Sequence, residues 1–260
     1  MPLAAFLFKK QPPRKAGGAA EREGASSLRR HAHQVYATAV NQLRANPAIY
    51  RVLFGHWPAR GLRGQLWDWT TLALASALRR HVRPGSSVLD VGTGPAGVLA
   101  VYSKCRLACG PAYGVDHVPE LLPSAAATAE QCGVAVAFSC GTLFSALRGR
   151  FDVIAFNAPY IPLAEGRRLG VLRDAGDERR WAGGDTGLET IDLFLKQAVD
   201  HLTPAGRILL GVNHFYLRPD AVRLSIEAAH LTELDRVHHR LSRACVYVLS
   251  APPVPQRRRS

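Results

Sequence analysis

Hydrophobic and polar positions follow two alternating patterns along most of the chain. Short apolar runs of strand length are followed by longer segments whose apolar residues recur every three or four positions, as on one face of a helix. The predicted helices are 31–44, 66–82, 95–104, 119–132, 188–202 and 219–229. The predicted strands are 87–91, 112–115, 134–139, 151–156, 206–212, 234–241 and 244–249, the last two as a closing antiparallel pair. The segment between the first two predicted helices, which contains Phe54, Trp57 and Pro58, is less regular and receives no element.

This alternation predicts an α/β fold, with a doubly wound, mostly parallel, seven-stranded sheet, helices on both faces and an antiparallel last strand. Residues 1–30 are rich in Gly, Pro, Ala and basic residues and are predicted to form a disordered basic tail. A short helical segment, 31–83, then precedes the main α/β domain over 84–252, and residues 253–260 form a second basic tail.

The composition is that of an ordinary globular protein, with 47% hydrophobic and 20% charged residues among 260. No apolar run approaches the roughly 20 residues that span a bilayer, so we expect no membrane partner. The five cysteines are odd in number and unevenly spaced, which favours neither a disulfide framework nor a metal site. We therefore expect reduced thiols, a cytoplasmic location and no metal.

The net charge of +13 invites a nucleic-acid interpretation, so the position of the charge matters. Residues 1–35 contain seven Lys or Arg and two Glu, and Arg257 to Arg259 add three more positive charges. More than half of the excess thus lies in the predicted tails. Phosphate attraction needs clustered charge, so nucleic acid is a partner that we consider but do not favour.

A glycine-rich turn follows the first predicted strand, where residues 88–97 read Val-Leu-Asp-Val-Gly-Thr-Gly-Pro-Ala-Gly. Glycines let a ligand approach the backbone, and the N-terminus of the next helix offers unpaired N–H groups. Asp90 precedes the first glycine by two residues, and Asp116 ends the next strand, where it can accept hydrogen bonds from ribose hydroxyls or serve as a helix N-cap. Two acids at strand ends suit a nucleoside that carries an ammonium group.

A second motif covers residues 151–162, Phe-Asp-Val-Ile-Ala-Phe-Asn-Ala-Pro-Tyr-Ile-Pro. An apolar run of strand length that stops at a polar residue is typical of a buried parallel strand. Open α/β sheets bind ligands at the carboxyl ends of such strands. We therefore predict that Asn157 contacts a ligand; the alternative is a strand-ending turn with a buried Tyr160.

With a third segment, Trp-Ala-Gly-Gly-Asp-Thr-Gly-Leu at 181–188, these motifs resemble the class I S-adenosylmethionine-dependent methyltransferases with an (Asn/Asp)-Pro-Pro-Tyr motif. Within that branch the chain is most similar to the HemK-type protein glutamine N-methyltransferases, over roughly residues 50–250. The resemblance implies a Rossmann-like methyltransferase fold, S-adenosyl-L-methionine as cofactor and N-methyl transfer to an amide or amine of a small molecule or a protein glutamine.

The resemblance also implies roles for individual residues. The catalytic residues are Asn157, Ala158 and Tyr160. Asn157 and the carbonyl of Ala158 would hold the acceptor nitrogen, since two hydrogen-bond acceptors can fix its N–H groups and turn its lone pair toward the methyl. Tyr160 would form a flat wall beside the acceptor.

The resemblance also implies a cofactor site. The cofactor-binding residues are Asp90, Gly92, Thr93, Gly94, Gly97, Asp116, His117, Thr142 and Asn157. Weaker candidates for contact with the substrate are Pro159, Trp67 and His214.

Three features depart from the family pattern. Ala158 replaces a proline, which loosens φ at that position. Thr142 stands where the family carries an acid toward the adenine, and it brings no charge. The N-terminal helical segment is short for a recognition domain, which favours a small acceptor over a protein.

Two alternatives remain open at the level of sequence. The cofactor's own amine could attack its γ-carbon, releasing methylthioadenosine and a cyclic amino acid of the azetidine-2-carboxylate type, with Asn157 and Tyr160 holding that amine. A nucleic-acid-binding or adenine-methylating protein on the same scaffold is the third reading, which we rank below the others.

Overall fold

The structure, a computed structural model, describes residues 39–240 and 242–252. The two predicted tails and the first part of the predicted helix 31–44 lie outside these residues, and 39–45 are helical. The helices are α1 (Pro47–Phe54), α2 (Trp69–His81), α3 (Val98–Leu107), α4 (Leu122–Gln131), α5 (Leu163–Arg168), α6 (Ala175–Trp181), α7 (Glu189–Ala198) and α8 (Pro219–Ala228). Single 3₁₀ turns span Pro119–Leu121 and Val199–His201.

The strands are β1 (Val88–Val91), β2 (Ala112–Asp116), β3 (Ala137–Cys140), β4 (Phe151–Asn157), β5 (Leu202–Asn213), β6 (Thr232–His238) and β7 (Ala244–Ser250). They form one seven-stranded sheet in the order β3-β2-β1-β4-β5-β7-β6. The first five strands run parallel, and β7 pairs antiparallel with both β5 and β6. The predicted fold class, including the antiparallel last strand, is confirmed.

Helices cover both faces of the sheet. On one face, α2 and α3 bury apolar residues such as Leu74 and Leu99 against Leu209 of β5. The N-terminal helix α1 joins this core through Tyr50, which is fully buried. On the other face, α7 and α8 bury residues such as Phe194. No helix in the described ranges is long and apolar enough to cross a bilayer.

Several predicted boundaries were wrong, and three helices were missed. The helix α1 occupies part of the segment that the sequence left irregular. Its signals are local: Asn46 caps the N–H groups of Ala48 and Ile49, Pro47 takes the first helical position, and Gly55 ends the helix at φ 78°. The helices α5 and α6 were also not predicted; they lie between the second and third motifs.

Other predicted elements shift at their ends. The helix predicted from 95 begins at Val98, because Gly97 takes a left-handed conformation at φ 56°. The helix predicted from 66 begins at Trp69, because the Asp68 side chain caps it. The helix predicted to 202 ends at Ala198, and the strand predicted over 206–212 extends over Leu202–Asn213. The strand predicted from 134 begins at Ala137.

The strand order places a topological switch point between β1 and β4, since the chain builds the sheet outward from β1 on one side and from β4 on the other. These two strands pair in parallel, with Val91 beside Phe156. The glycine turn after β1 and the motif after β4 therefore lie at the same edge of the sheet.

A glycine in β5 lets α2 approach the sheet closely. A Cβ atom on Gly211 would lie 2.7 Å from Thr70 Cγ2 and 2.8 Å from Leu74 Cδ1. Both side chains are buried. The first turn of α2 therefore sits directly above the end of β5, beside Asn157, which pairs with Gly211 in the sheet.

We expect the substitution Gly211→Ala to lower the free energy of unfolding by about 1–3 kcal/mol, because the added methyl overpacks this contact. Urea unfolding at equilibrium measures the change. The control is Gly176→Ala in α6, where the nearest atom to the added methyl is Asp174 Oδ1 at 3.1 Å and alanine favours the helix. A Gly211→Ala protein as stable as the wild type would contradict the expectation.

Candidate active site

The glycine turn after β1 adopts a conformation that only glycines take readily. Gly92, Gly94 and Gly97 have φ values of 66°, 65° and 56°. A Cβ on Gly97 would lie 3.0 Å from the Phe138 ring, so this glycine is needed for packing. A Cβ on Gly94 would meet nothing within 4 Å. The backbone at Gly94 is thus open to a ligand.

Asp90 lies beneath this turn and is only 1% exposed. Its Oδ2 accepts hydrogen bonds from Thr93 Oγ1 at 2.8 Å and from the Ala100 N–H, in the first turn of α3, at 3.2 Å. Burial raises the pKa of Asp90 to about 7, although these hydrogen bonds favour the charged form. The predicted contact of Asp90 with the cofactor stays a prediction, and the observed contacts link Asp90 to the glycine turn and to the first turn of α3.

Asp116, at the end of β2, lies beside the same turn. Its Oδ2 accepts the Gly94 N–H at 2.9 Å, and its Oδ1 accepts the Val118 N–H at 3.0 Å. The Nδ1 atom of the partly exposed His117 is 3.6 Å from the same Oδ1. The structure therefore brings Asp116, His117 and the glycine turn together.

Asn157 ends β4, and its amide has two very different sides. The Nδ2 atom lies 3.3 Å from each carboxylate oxygen of Asp68 and 3.3 Å from Thr71 Oγ1. The Oδ1 atom is buried and has no hydrogen-bond partner among the described residues. A buried acceptor without a partner costs about 1–3 kcal/mol, so it marks a place where a ligand can donate a hydrogen bond.

Asp68 and Thr71 are site residues that the sequence analysis missed. They form a capping box at the start of α2, in which the Asp68 side chain accepts the Thr71 N–H at 2.7 Å and the Asp68 N–H reaches Thr71 Oγ1 at 3.2 Å. The spacing Asp68-x-x-Thr71 signals such a box. Nothing in the local sequence indicates its contact with Asn157, which lies 89 residues further along.

The residues after Asn157 are held in place from two sides. The Ala158 N–H donates to the carbonyl of Gly211 at 3.3 Å, a bond that a proline cannot make. The hydroxyl of Tyr160 lies 3.1 Å from Thr70 Oγ1 in α2. Burial raises the pKa of Tyr160 far above its usual value, so Tyr160 stays neutral and is no base at physiological pH. Pro159, between them, is partly exposed.

The third motif packs directly against the second. The Ile161 N–H donates to the backbone carbonyl of Trp181 at 3.1 Å, and the Ile161 carbonyl accepts the Gly183 N–H at 3.0 Å. A Cβ on Gly183 would lie 2.6 Å from the Pro159 carbonyl oxygen, and one on Gly187 would lie 2.6 Å from that of Tyr160. The glycines of the third motif are therefore needed because two backbone segments touch there.

The other predicted site residues have contacts of their own, and their roles stay predictions. His214 has contacts at both ring nitrogens, with Nδ1 3.0 Å from the Leu217 carbonyl oxygen and Nε2 3.1 Å from the Tyr247 hydroxyl. Burial lowers its pKa, so the ring is neutral. Trp67 is 3% exposed and packs edge-on against Trp69. Thr142 follows β3 and is exposed.

In the described part of the chain, no group of three or more His, Cys, Asp or Glu could hold a metal ion.

No family model matches the chain. A release factor glutamine methyltransferase of Deinococcus radiodurans is 34% identical over 147 residues, which cover 56% of this chain and 51% of that protein. A ribosomal protein L11 methyltransferase of Thermus thermophilus is 48% identical over 91 residues, which cover 35% of this chain and 34% of that protein. The matched part is thus about half of the first relative and a third of the second.

Among solved structures, a methyltransferase from Pyrococcus furiosus superposes with a TM-score of 0.59 at 19% identity, covering 85% of this chain and 96% of that chain. The chain therefore shares its fold with a solved methyltransferase structure. The relatives confirm the predicted resemblance to the HemK-type protein glutamine N-methyltransferases.

We expect the buried Asp90 to make stability depend on pH. Its carboxyl group ionises near 3.8 in the unfolded chain and near 7 in the folded protein. Between these values the folded state binds more protons, so the contribution of Asp90 to the free energy of unfolding falls as pH rises from about 4 to about 7. Asp90→Asn, which can keep both hydrogen bonds, removes this contribution.

Urea unfolding of both proteins across this pH range provides the measurement. The stability of the wild type relative to Asp90→Asn should decline steadily with rising pH. Parallel curves for the two proteins would show that Asp90 ionises normally.

Proposed function

We propose that this protein is an S-adenosylmethionine-dependent N-methyltransferase that modifies a carboxamide nitrogen, with a protein glutamine as the favoured acceptor. The observation that carries the proposal is the buried, unpartnered Oδ1 of Asn157, next to an open glycine turn at the switch point of the sheet. An acceptor that donates an N–H satisfies this oxygen.

The residues at the edge of the sheet fit the proposed cofactor. The open backbone at Gly94 admits a ligand, and the Asp116 carboxylate beside it is suited to ribose hydroxyls. When bound there, S-adenosylmethionine supplies an electrophilic methyl group on a positively charged sulfur. The chain itself binds, orients and shields the two reactants.

The proposed chemistry depends on positioning more than on a strong base. A carboxamide nitrogen is a weak nucleophile, because its lone pair is delocalised over the amide. Asn157 Oδ1 and the Ala158 carbonyl would each accept one N–H and turn the lone pair toward the methyl group. The ring of the neutral Tyr160 would then pack beside the acceptor, while its hydroxyl ties the motif to Thr70 of α2.

The favoured acceptor differs from the small molecule that the short N-terminal segment suggested. Both relatives described above are named for protein substrates, which supports a protein acceptor. We also propose a cytoplasmic location, supported by five cysteines that are all unpaired.

Intramolecular cleavage of the cofactor is the competing reaction, motivated by the departures from the family pattern at Ala158 and Thr142. The hydrogen bond from the Ala158 N–H to the Gly211 carbonyl weakens this motivation. It restrains the backbone at Ala158, as the family's proline would. The predicted basic tails, on which a nucleic-acid role rests, lie outside the described residues.

The test is mass spectrometry of the protein incubated with S-adenosylmethionine, with and without a set of synthetic peptides that each carry one glutamine. We expect S-adenosylhomocysteine and a singly methylated peptide, both only when peptide is present. Methylthioadenosine formed without peptide would instead support the intramolecular reaction. The absence of both products, together with no cofactor binding in calorimetry, would overturn the proposal.

Asn157→Ala is the matched variant for this experiment. It removes the acceptor oxygen while leaving the glycine turn intact, so we expect kcat to fall by about 100-fold. Because Asn157 is also a predicted cofactor contact, the dissociation constant of the cofactor should rise too, but by a smaller factor than the fall in kcat.

Asp116→Ala tests the cofactor site separately. We expect binding of S-adenosylmethionine to weaken by about 10- to 100-fold, since hydrogen bonds to a charged group contribute about 1.5–3 kcal/mol. Isothermal titration calorimetry measures the change. Asp200→Ala, at an exposed acid of the 3₁₀ turn after α7, is the control and should bind like the wild type. Equal affinity in all three proteins would place the ribose elsewhere.

A further inference from the structure

The first turn of α2 meets the end of β4 through three polar side chains. The NH₂ group of Asn157 lies against both carboxylate oxygens of Asp68 and against Thr71 Oγ1, at 3.3 Å in each case. These contacts join two segments that are far apart in the chain. They also explain why the opposite side of the Asn157 amide is the side without a partner.

The hydrogen-bond directions in this cluster allow one orientation of the amide. An ionised carboxylate can only accept, and the Thr71 hydroxyl donates its single hydrogen to Asp68 Oδ1 at 2.8 Å. Everything that faces Asn157 from α2 is therefore an acceptor. If the amide were flipped, its Oδ1 would face a carboxylate and the hydroxyl lone pairs without any hydrogen between them.

Contacts of the first turn of α2 with itself and with the sheet hold this cluster in place. Asp68 is the N-cap of α2 and accepts the Thr71 N–H at 2.7 Å, which fixes its carboxylate. Thr70, in the same turn, contacts the hydroxyl of Tyr160. The absence of a side chain on Gly211 allows this close approach. The first turn of α2 thus makes hydrogen-bond contacts with the second motif at both Asn157 and Tyr160.

We propose that Asp68, supported by Thr71, is a positioning residue of the acceptor site. It binds the NH₂ of Asn157, aims Oδ1 at the acceptor and so restricts the acceptor to groups that donate an N–H. This role rests on the proposed methyl transfer.

The charge of Asp68 has a further effect during that reaction. As the bond from nitrogen to the methyl carbon forms and the carbon–sulfur bond breaks, the sulfur takes the bonding electron pair and positive charge develops on the nitrogen. The carboxylate behind Asn157 polarises the amide and makes its Oδ1 a better partner for that charge. The surplus nitrogen proton then leaves to water.

Asp68→Asn tests this role with little change in shape. Asparagine caps helices as well as aspartate, so α2 and the melting temperature should be preserved. The new side chain can turn its own NH₂ toward Asn157, which then flips and presents NH₂ to the acceptor. We expect kcat with the glutamine peptides to fall by about 10- to 100-fold, while the dissociation constant of S-adenosylmethionine stays within about twofold.

A spectroscopic measurement reports the amide orientation without any turnover. The side-chain NH₂ signals of Asn157 in a ¹⁵N-correlated spectrum are assigned by their loss in Asn157→Ala. In Asp68→Asn they should move away from the positions they take beside a carboxylate. Asp174→Asn is the control, because it makes the same change at the N-cap of α6, where the carboxylate accepts the Asp177 N–H.

The control should leave kcat, cofactor affinity and the Asn157 signals unchanged. Wild-type kcat in Asp68→Asn, or equal losses of kcat and cofactor binding, would overturn the positioning role. If the wild type forms neither product and binds no cofactor, the proposed function fails by itself. The NH₂ signals then decide this inference, which is overturned if they stay in place in Asp68→Asn.

Discussion

The parallel pairing of β1 with β4 is the interaction on which the candidate site depends. It sets Val91 beside Phe156 and so brings the glycine turn and the Asn157 motif, more than 50 residues apart in the sequence, to one edge of the sheet. The strand order reverses at this point, which is where open α/β sheets bind their ligands. Asp116, the last residue of β2, adds a carboxylate that accepts the Gly94 N–H. The glycine turn, Asn157 and Asp116 are each attached to the end of a strand in the buried sheet, which holds them in fixed positions.

A second constraint comes from the close approach of α2 to the sheet over Gly211. It allows Asp68 and Thr71 to reach Asn157, and Thr70 to reach Tyr160. The third motif holds the same loop from the other side, where Gly183 and Gly187 touch its backbone. The backbone hydrogen bond of Ala158 adds a restraint where the family's proline is missing. The geometry of the acceptor side is therefore fixed by contacts from three separate parts of the chain.

Much of the fold was predictable, because helices and strands leave their periodicity in the local sequence. The seven strands, the parallel order of the first five and the antiparallel last strand all followed from the apolar runs and the motifs between them. The helix α1 was missed although Asn46, Pro47 and Gly55 mark its two ends. The start of α3 was placed too early, because the left-handed glycines extend the turn to Gly97. The missed helix and the misplaced start both depend on capping and turn residues, which periodicity does not show.

By itself, the sequence determined the alternation of elements, the glycine turn and the position of Asn157 at a strand end, since all three are properties of neighbouring residues. Only the tertiary structure decided that Asp90 is buried under hydrogen bonds from Thr93 and Ala100, that both ring nitrogens of His214 are already engaged, and that the Asn157 amide oxygen is buried without a partner. The physical reason is that burial and hydrogen-bond direction depend on partners from distant segments. Asp68 is the clearest case, because its local pattern signals a helix cap, and only the packing of α2 on β5 brings that cap to Asn157.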